Sequence, residues 1–179
     1  MRLWEVSMAL DQMILLFIQD NIRCDWLTGI ICAVTTMGNK GLIWLVLLLF
    51  LLIYPKTRKL GMVAGISFLI CVGVAETIKN LVMRPRPFLS MAELVPLVKP
   101  PHSYSFPSVH TVSSFSVAWI LLWSQEGKAV RYTVFAFALL MAFSRLYVGV
   151  HYPSDVLTGI LLAFLGSYAV WRWQGHKTK

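Results

Sequence analysis

Long apolar runs alternate with short polar segments along most of the chain. The runs lie at about 24–37, 41–54, 60–83, 108–124, 129–148 and 154–173. A run of about 20 apolar residues spans a bilayer as a helix, and shorter runs reach that length only with their flanks. We therefore predict an all-α protein, a polytopic transmembrane helix bundle of five to six spans. The first run is short enough to be only a partial crossing.

The start of the chain has a different pattern. Glu5 and Asp11 interrupt its apolar residues, and no small-residue cleavage site follows, so we do not expect a cleaved signal peptide. Residues 8–19 instead predict an amphipathic or partly inserted helix. No linker, repeat or low-complexity tract divides the rest. We predict one integral membrane domain over 1–179, with its core at about 22–173.

Polar residues and prolines mark the breaks between runs. A turn is predicted at 38–41, a helix end before Pro55, and another turn at 125–127. The longest polar stretch, 84–107, contains six of the eight prolines of the chain. Proline lacks the backbone N–H group that a helix needs, so we predict a loop without helix there.

Composition supports the membrane assignment. The chain is 58% hydrophobic and 13% charged, whereas a soluble domain has about 25% charged residues. Too little polar sequence remains to cover so many apolar runs in water. Three cysteines without a CxxC pair suggest neither a disulfide framework nor a zinc site.

The net charge of +8 is concentrated at the ends of the runs, which argues against nucleic-acid binding. Three breaks that fall on the same side of the bundle hold eight basic residues against one acid, Glu126. The positive-inside rule makes that side, and the C-terminus with it, cytoplasmic. The basic residues are Lys56, Arg58, Lys59, Lys128, Arg131, Arg172, Lys177 and Lys179.

Three polar clusters lie on the opposite, extracytoplasmic side, where alternation of the spans brings them together. They comprise Lys79 with 84–87, then 106–110, then Ser144 and Arg145 with 151–155. The cations Lys79, Arg86 and Arg145 suit a doubly charged anion, since arginine binds phosphate bidentately. Ser108 opens a helix behind Pro107, predicted as a first-turn proline, and the free N–H groups of that helix attract phosphate.

The same clusters hold groups that can perform chemistry. His151 and His110 supply a nucleophile and a proton donor. Asp155 follows His151 by four residues, in the first turn of a helix that Pro153 begins, where the helix dipole favours the ionised carboxylate. Its carboxylate can accept a hydrogen bond from one ring nitrogen of His151 and leave the other free to attack phosphorus.

Together these residues resemble the three-part signature of the type 2 phosphatidic acid phosphatase superfamily. The matching segments are Lys79-x6-Arg86-Pro87, Pro107-Ser108-x-His110 and Ser144-Arg145-x5-His151-x3-Asp155. The resemblance covers roughly 22–173. It implies that His151 attacks the phosphate, that His110 protonates the leaving oxygen and that Asp155 orients His151, with no metal and no cofactor. It also implies a phosphate-binding set of Lys79, Arg86, Ser108 and Arg145.

Three positions leave questions. Val109 stands where the family usually has glycine, and a β-branched residue permits a less close approach of the phosphate, although a helical first turn suits valine. Arg84 is either an ordinary loop charge or a contact to a second phosphate. Glu76 either pairs with Lys79 or handles substrate or protons.

The expected function is a metal-independent membrane lipid phosphatase that hydrolyses a phosphate or diphosphate ester through a phosphohistidine. Undecaprenyl diphosphate is the first choice of substrate, because the small size and outward site resemble the recycling phosphatases of cell-wall synthesis. Phosphatidylglycerophosphate or phosphatidate is the alternative. A lipid phosphotransferase shares the first chemical step, and an anion transporter is a third class. A haloperoxidase is disfavoured, since no large soluble helical body is present. The partners expected are the bilayer and a membrane lipid substrate, with no nucleic acid and no obligatory protein partner.

Overall fold

The computed structural model describes residues 3–175, with side chains from residue 7 onward, and the described chain is helical. The tail cations Lys177 and Lys179 therefore lie outside the described residues. Eight α-helices and one 3₁₀ turn, Asn39–Gly41, follow in order. The α-helices are α1 (Leu3–Asn21), α2 (Asp25–Met37), α3 (Leu42–Ile53), α4 (Arg58–Val82), α5 (Pro87–Ser90), α6 (Val109–Trp123), α7 (Lys128–Tyr147) and α8 (Pro153–Gly175).

These bounds agree with the apolar runs to within about two residues, because the same polar residues and prolines that interrupt the runs also end the helices. Two details of the sequence interpretation are wrong. The proline-rich segment contains one helical turn, α5, because Pro87 occupies its first turn, where a missing N–H group costs nothing. Pro107 lies before the N-cap Ser108 of α6, outside the first turn.

Within residues 3–175, three helices are long and apolar enough to cross a bilayer: α4 with its extension to Ser90, α7 and α8. A fourth candidate is the pair α2 and α3, which the 3₁₀ turn bends by 52°. The fifteen residues of α6 form a rod about 22 Å long, which is shorter than a hydrocarbon core of about 30 Å. The prediction of a helical membrane protein is confirmed in this form; the count of five to six spans stays a prediction.

α6 lies at the centre of the bundle, packed against α4, α7 and α8. Ten of its fifteen residues are buried. Serine hydroxyls join three of these helices, since Ser67 of α4 and Ser167 of α8 both donate to the carbonyl of Ser116, at 3.0 and 3.2 Å. Such small polar residues let helices approach closely inside a membrane. The outer surfaces are apolar instead, as the exposed α8 residues Leu157, Leu161 and Leu165 illustrate.

The two ends of the bundle differ in chemistry. Lys59 at the start of α4 and Gln174 at the end of α8 line one depression. The ring of Trp123, at the end of α6, lies 6.2 Å from that of Trp171 in α8. The basic helix ends of the sequence therefore share one end of the bundle. The other end gathers the start of α6, the end of α4 and the loop between α7 and α8.

Candidate active site

A cavity of about 350 Å³ opens at that second end. Five of the seven residues predicted for the site line it: Lys79, Arg86, His110, Arg145 and His151. The helix end of α4, the start of α6, the end of α7 and the loop before α8 each supply at least one of them. Residues more than 70 positions apart in the chain thus meet around one space.

His151 is held at both of its ring nitrogens. Its Nδ1 atom lies 3.4 Å from Oδ2 of Asp155 and 3.5 Å from the hydroxyl of Ser105. Its Nε2 atom lies 3.2 Å from Nη1 of Arg86. With the proton on Nδ1, facing Asp155, the lone pair of Nε2 points toward the guanidinium-lined side of the site. This is the tautomer that a nucleophilic imidazole needs.

Asp155 is fully buried, and both of its carboxylate oxygens accept hydrogen bonds. Oδ2 accepts from the Ser105 hydroxyl at 2.5 Å and from the Tyr152 N–H at 2.9 Å. Oδ1 accepts from Nη1 of Arg84 at 2.6 Å. A carboxylate with so many donors stays ionised and fixed in orientation.

Burial lowers the pKa of His151 to about 3; the hydrogen bond to Asp155 opposes this shift, and the guanidiniums of Arg86 and Arg145 add to it. The imidazole is therefore neutral near pH 7. With the proton on Nδ1, its Nε2 atom keeps an unprotonated lone pair, which is the state in which a histidine attacks phosphorus.

The two arginines of the cavity are anchored by neutral groups. Arg86 donates from Nε to the Ser103 carbonyl at 2.7 Å and from Nη1 to the Val150 carbonyl at 2.8 Å. Arg145 donates to the hydroxyl of Thr35, and its Nε atom has no hydrogen-bond partner among the described residues. These contacts orient the guanidiniums without neutralising them, so their charge remains available to an anion.

His110 lies at the first turn of α6 and faces the 3₁₀ turn between α2 and α3. Its Nε2 atom is 3.3 Å from Oδ1 of Asn39. Gly38 makes this approach possible, because a Cβ atom there would lie 2.8 Å from Cδ2 of His110. The 3₁₀ turn thus positions His110, the predicted proton donor. The sequence analysis did not predict this role for the turn.

Ser108 and Asp155 are not among the residues that line the cavity. Ser108 is the N-cap of α6, and its hydroxyl accepts a hydrogen bond from Thr111 at 3.0 Å. Its backbone N–H donates to the Asp155 carbonyl at 3.2 Å, which ties the start of α6 to α8. Val109, in place of the usual glycine, is the first helical residue and does line the cavity.

Both interpretations of Arg84 are wrong. Its guanidinium pairs with Asp155 at 2.6 Å and with Asp11 of α1 at 2.8 Å, so it is neither an ordinary loop charge nor directed at a phosphate. Ser105 also escaped prediction. The residues next to Ser105 in the sequence do not indicate a catalytic role. Asp11 could have been noticed, because it is a carboxylate inside a mostly apolar helix. Glu76 lines the cavity and forms no ion pair within 4.0 Å among the described residues.

The chain is similar in sequence to known phosphatases. An undecaprenyl-diphosphatase of Sulfolobus acidocaldarius is 34% identical over 137 residues, which are 76% of this chain and 65% of that protein. A decaprenylphosphoryl-5-phosphoribose phosphatase of Mycobacterium tuberculosis is 36% identical over 127 residues, 70% of this chain and 68% of that protein. The chain thus spans about two thirds of the length of these relatives.

A solved structure has the same fold. The transmembrane PAP2 type phosphatidylglycerolphosphate phosphatase of Bacillus subtilis superposes with a TM-score of 0.78 at 26% identity, covering 96% of this chain and 87% of that one. The sequence profile described as the PAP2 superfamily matches residues 60–179, which include all three polar clusters. The chain therefore belongs to the PAP2 superfamily.

Proposed function

We propose that this protein is a membrane lipid phosphatase that hydrolyses a phosphate or diphosphate ester through a phosphohistidine intermediate. One observation carries the proposal. His151, backed by the buried Asp155, lies in a cavity that also holds three buried cations, none of which has a carboxylate within 4.0 Å among the described residues. That combination suits an anionic substrate with an electrophilic phosphorus.

In the first step the phosphoryl group is held by Lys79, Arg86 and Arg145, with the start of α6 at Ser108 completing the phosphate-binding set. Nε2 of His151 attacks phosphorus, and the bond from phosphorus to the leaving oxygen breaks. His110 donates a proton to that oxygen. Asp155 accepts the hydrogen bond from Nδ1 and stabilises the positive charge that develops on the imidazole.

In the second step water attacks the phosphohistidine. His110, now deprotonated, accepts a proton from the water while the bond between phosphorus and Nε2 breaks. Inorganic phosphate forms, and His151 returns to its neutral state with the proton still on Nδ1. The cations stabilise the charge on the phosphoryl oxygens in both steps.

The proposed substrate is undecaprenyl diphosphate, converted to undecaprenyl phosphate. Support comes from the relatives named for polyprenyl diphosphates and phosphates in Sulfolobus acidocaldarius and Mycobacterium tuberculosis. The alternatives are phosphatidylglycerophosphate, which the name of the Bacillus subtilis structure supports, and phosphatidate. A phosphotransferase that passes the phosphoryl group from His151 to a lipid acceptor differs only in the second step.

We further propose five to six membrane crossings. The bent pair α2 and α3 forms one of them, and the short α6 forms another, covered by α4, α7 and α8. The active site faces the extracytoplasmic side, and the C-terminus is cytoplasmic. Support comes from the basic residues at the end of the bundle opposite the cavity, among them Lys59 and Arg172. The amphipathic α1 lies against the outer end.

Phosphate release by the purified protein in detergent tests the proposal. The panel contains undecaprenyl diphosphate, phosphatidylglycerophosphate and phosphatidate, each assayed with and without a chelator. We expect His151→Ala to lower turnover at least about 10³-fold, while His102→Ala, at an exposed loop position, retains it. Near-normal release by His151→Ala would exclude the phosphohistidine, and loss of release in chelator would argue for a metal mechanism.

A further inference from the structure

A carboxylate of α1 reaches the back of the candidate active site. Asp11 lies outside the segment that the family profile matches, yet it is only 4% exposed. Its Oδ1 atom accepts a hydrogen bond from the backbone N–H of Ser154 at 2.9 Å, and Oδ2 accepts from the Ser154 hydroxyl. Ser154 is the second residue of α8, so Asp11 caps the helix that carries Asp155.

Arg84 connects Asp11 to the catalytic pair. Its Nη2 donates to Oδ2 of Asp11 at 2.8 Å, while Nη1 donates to Oδ1 of Asp155 at 2.6 Å and to the Ser154 hydroxyl at 2.7 Å. The guanidinium carbon lies 3.9 Å from the centre of the Tyr152 ring, which limits its movement. A continuous chain of contacts therefore runs from Asp11 through Arg84 and Asp155 to Nδ1 of His151.

The charges in this chain have a consequence for catalysis. Arg84 and Asp155 alone would form a neutral pair, and Asp155 would have less negative charge to offer the imidazole. With Asp11 as a second carboxylate on the same guanidinium, the group of three carries a net charge of −1. Asp155 can then stabilise the cationic imidazole that forms during attack on phosphorus, while Arg84 keeps Oδ2 turned toward His151.

We propose that Asp11 is a positioning residue for catalysis, acting through Arg84 and Ser154 to orient Asp155 and preserve its negative charge toward His151. This inference rests on the proposed phosphohistidine function. It assigns to α1 a part in the reaction, although none of the α1 side chains described, from residue 7 onward, lines the cavity.

The test is the pair Asp11→Asn and Asp20→Asn. Both make the same chemical change on α1, but Asp20 is exposed and belongs to no part of this network. We expect Asp11→Asn to lower kcat about tenfold with KM within about twofold of wild type, because ground-state binding of phosphate is left intact. Asp20→Asn is expected to match wild type in both constants.

A second readout does not depend on turnover. Diethyl pyrocarbonate acylates neutral imidazoles, and mass spectrometry of the peptide that contains His151 gives its rate. We expect His151 to react about threefold more slowly in Asp11→Asn than in Asp20→Asn, since a less basic imidazole is a weaker nucleophile. If wild type hydrolyses no lipid, the proposed function fails. The acylation rate of His151 still shows whether Asp11 acts on that imidazole.

Equal kcat and equal acylation rates in the two variants would overturn the proposal. If Asp11→Asn does not fold, Ser154→Ala replaces it, because it removes the hydroxyl that bridges Asp11 and Arg84. We expect that variant to lower kcat about threefold at unchanged KM. In the Arg84→Gln background Asp11→Asn should have less effect than in wild type, and a fully additive effect would contradict action through Arg84.

Discussion

At the residue scale, the site is built from charges that are almost completely withdrawn from water. Lys79, Arg86 and Arg145 are each no more than 4% exposed, and no carboxylate lies within ion-pairing distance of them among the described residues. Burying cations without partners costs stability. A phosphate dianion would offset this cost, so we expect the site to bind an anion in preference to a neutral group.

The pKa of His151 predicts how stability depends on pH. Burial lowers this pKa from 6.5 to about 3. Below pH 6.5 the unfolded chain therefore takes up a proton at His151 that the folded protein does not, and the folded state loses stability as the pH falls from about 6.5 toward 3. In His151→Gln this contribution is absent.

Thermal unfolding in detergent between pH 7.5 and about 4.5 measures the difference. We expect the unfolding midpoint of wild type to fall more steeply with decreasing pH than that of His151→Gln. Parallel curves for the two proteins would mean that His151 takes up its proton over the same pH range in the folded and unfolded states, which would contradict the lowered pKa.

At the element scale, the interruption between α2 and α3 gives the site its shape. The 3₁₀ turn bends the chain by 52° and brings Asn39 to His110. Lys40 and Gly41 both have positive φ angles, 54° and 70°, which a continuous helix does not allow. The bend therefore sets α3 at an angle to α2 and places a polar turn beside the cavity.

Gly38 lies at the start of this bend, and its substitution tests the role of the bend. A Cβ atom at position 38 would lie 2.6 Å from Sδ of Met141 and 2.8 Å from Cδ2 of His110, so Gly38→Ala must displace one or both side chains. Because a small displacement of a proton donor is costly, we expect kcat to fall about tenfold or more.

Gly29→Ala is the matched control on the same helix. Apart from its chain neighbours and the nearby backbone of its own helix, no atom lies within 4 Å of the added Cβ, so activity should be unchanged and the helix should gain about 0.5–1 kcal/mol. Phosphate release and thermal unfolding of both variants check the prediction. Equal activity of Gly38→Ala and Gly29→Ala would show that the position of His110 is not limiting.

At the scale of the whole molecule, the two ends of the bundle differ. The chemical end holds the candidate active site, and the basic end holds the basic helix ends opposite the cavity. Cys24 lies at the chemical end, where its N–H donates to the Tyr147 hydroxyl at 3.2 Å, and it is exposed. Gly127 lies in the turn between α6 and α7, at the opposite end, with open space around it. These two positions report the sidedness of the protein.

We expect a membrane-impermeant maleimide to label Cys24 in intact cells, in a variant that lacks Cys32 and Cys71. A Gly127→Cys variant without the three native cysteines should be labelled only after the membrane is permeabilised. The reverse pattern would place the active site on the cytoplasmic side and refute the positive-inside assignment. Measured phosphatase activity in both variants controls for correct folding.

The sequence by itself determined the helices and pointed to most of the candidate catalytic groups. Apolar runs and their interruptions act locally, since each residue favours or disfavours helix through its own side chain and close neighbours, and the helix bounds could therefore be predicted. The candidate catalytic residues were identifiable because His110, His151 and Asp155 combine rare polar types with definite spacing at span ends.

Only the tertiary structure decided which groups support that chemistry. The contacts of Arg84 with Asp11, of Ser105 with Asp155 and of Asn39 with His110 join residues 73, 50 and 71 positions apart. Such contacts depend on how α1, the proline-rich loop and the bent α2–α3 pair pack against the bundle. No local pattern encodes that packing, because it follows from the shapes of whole helices brought together.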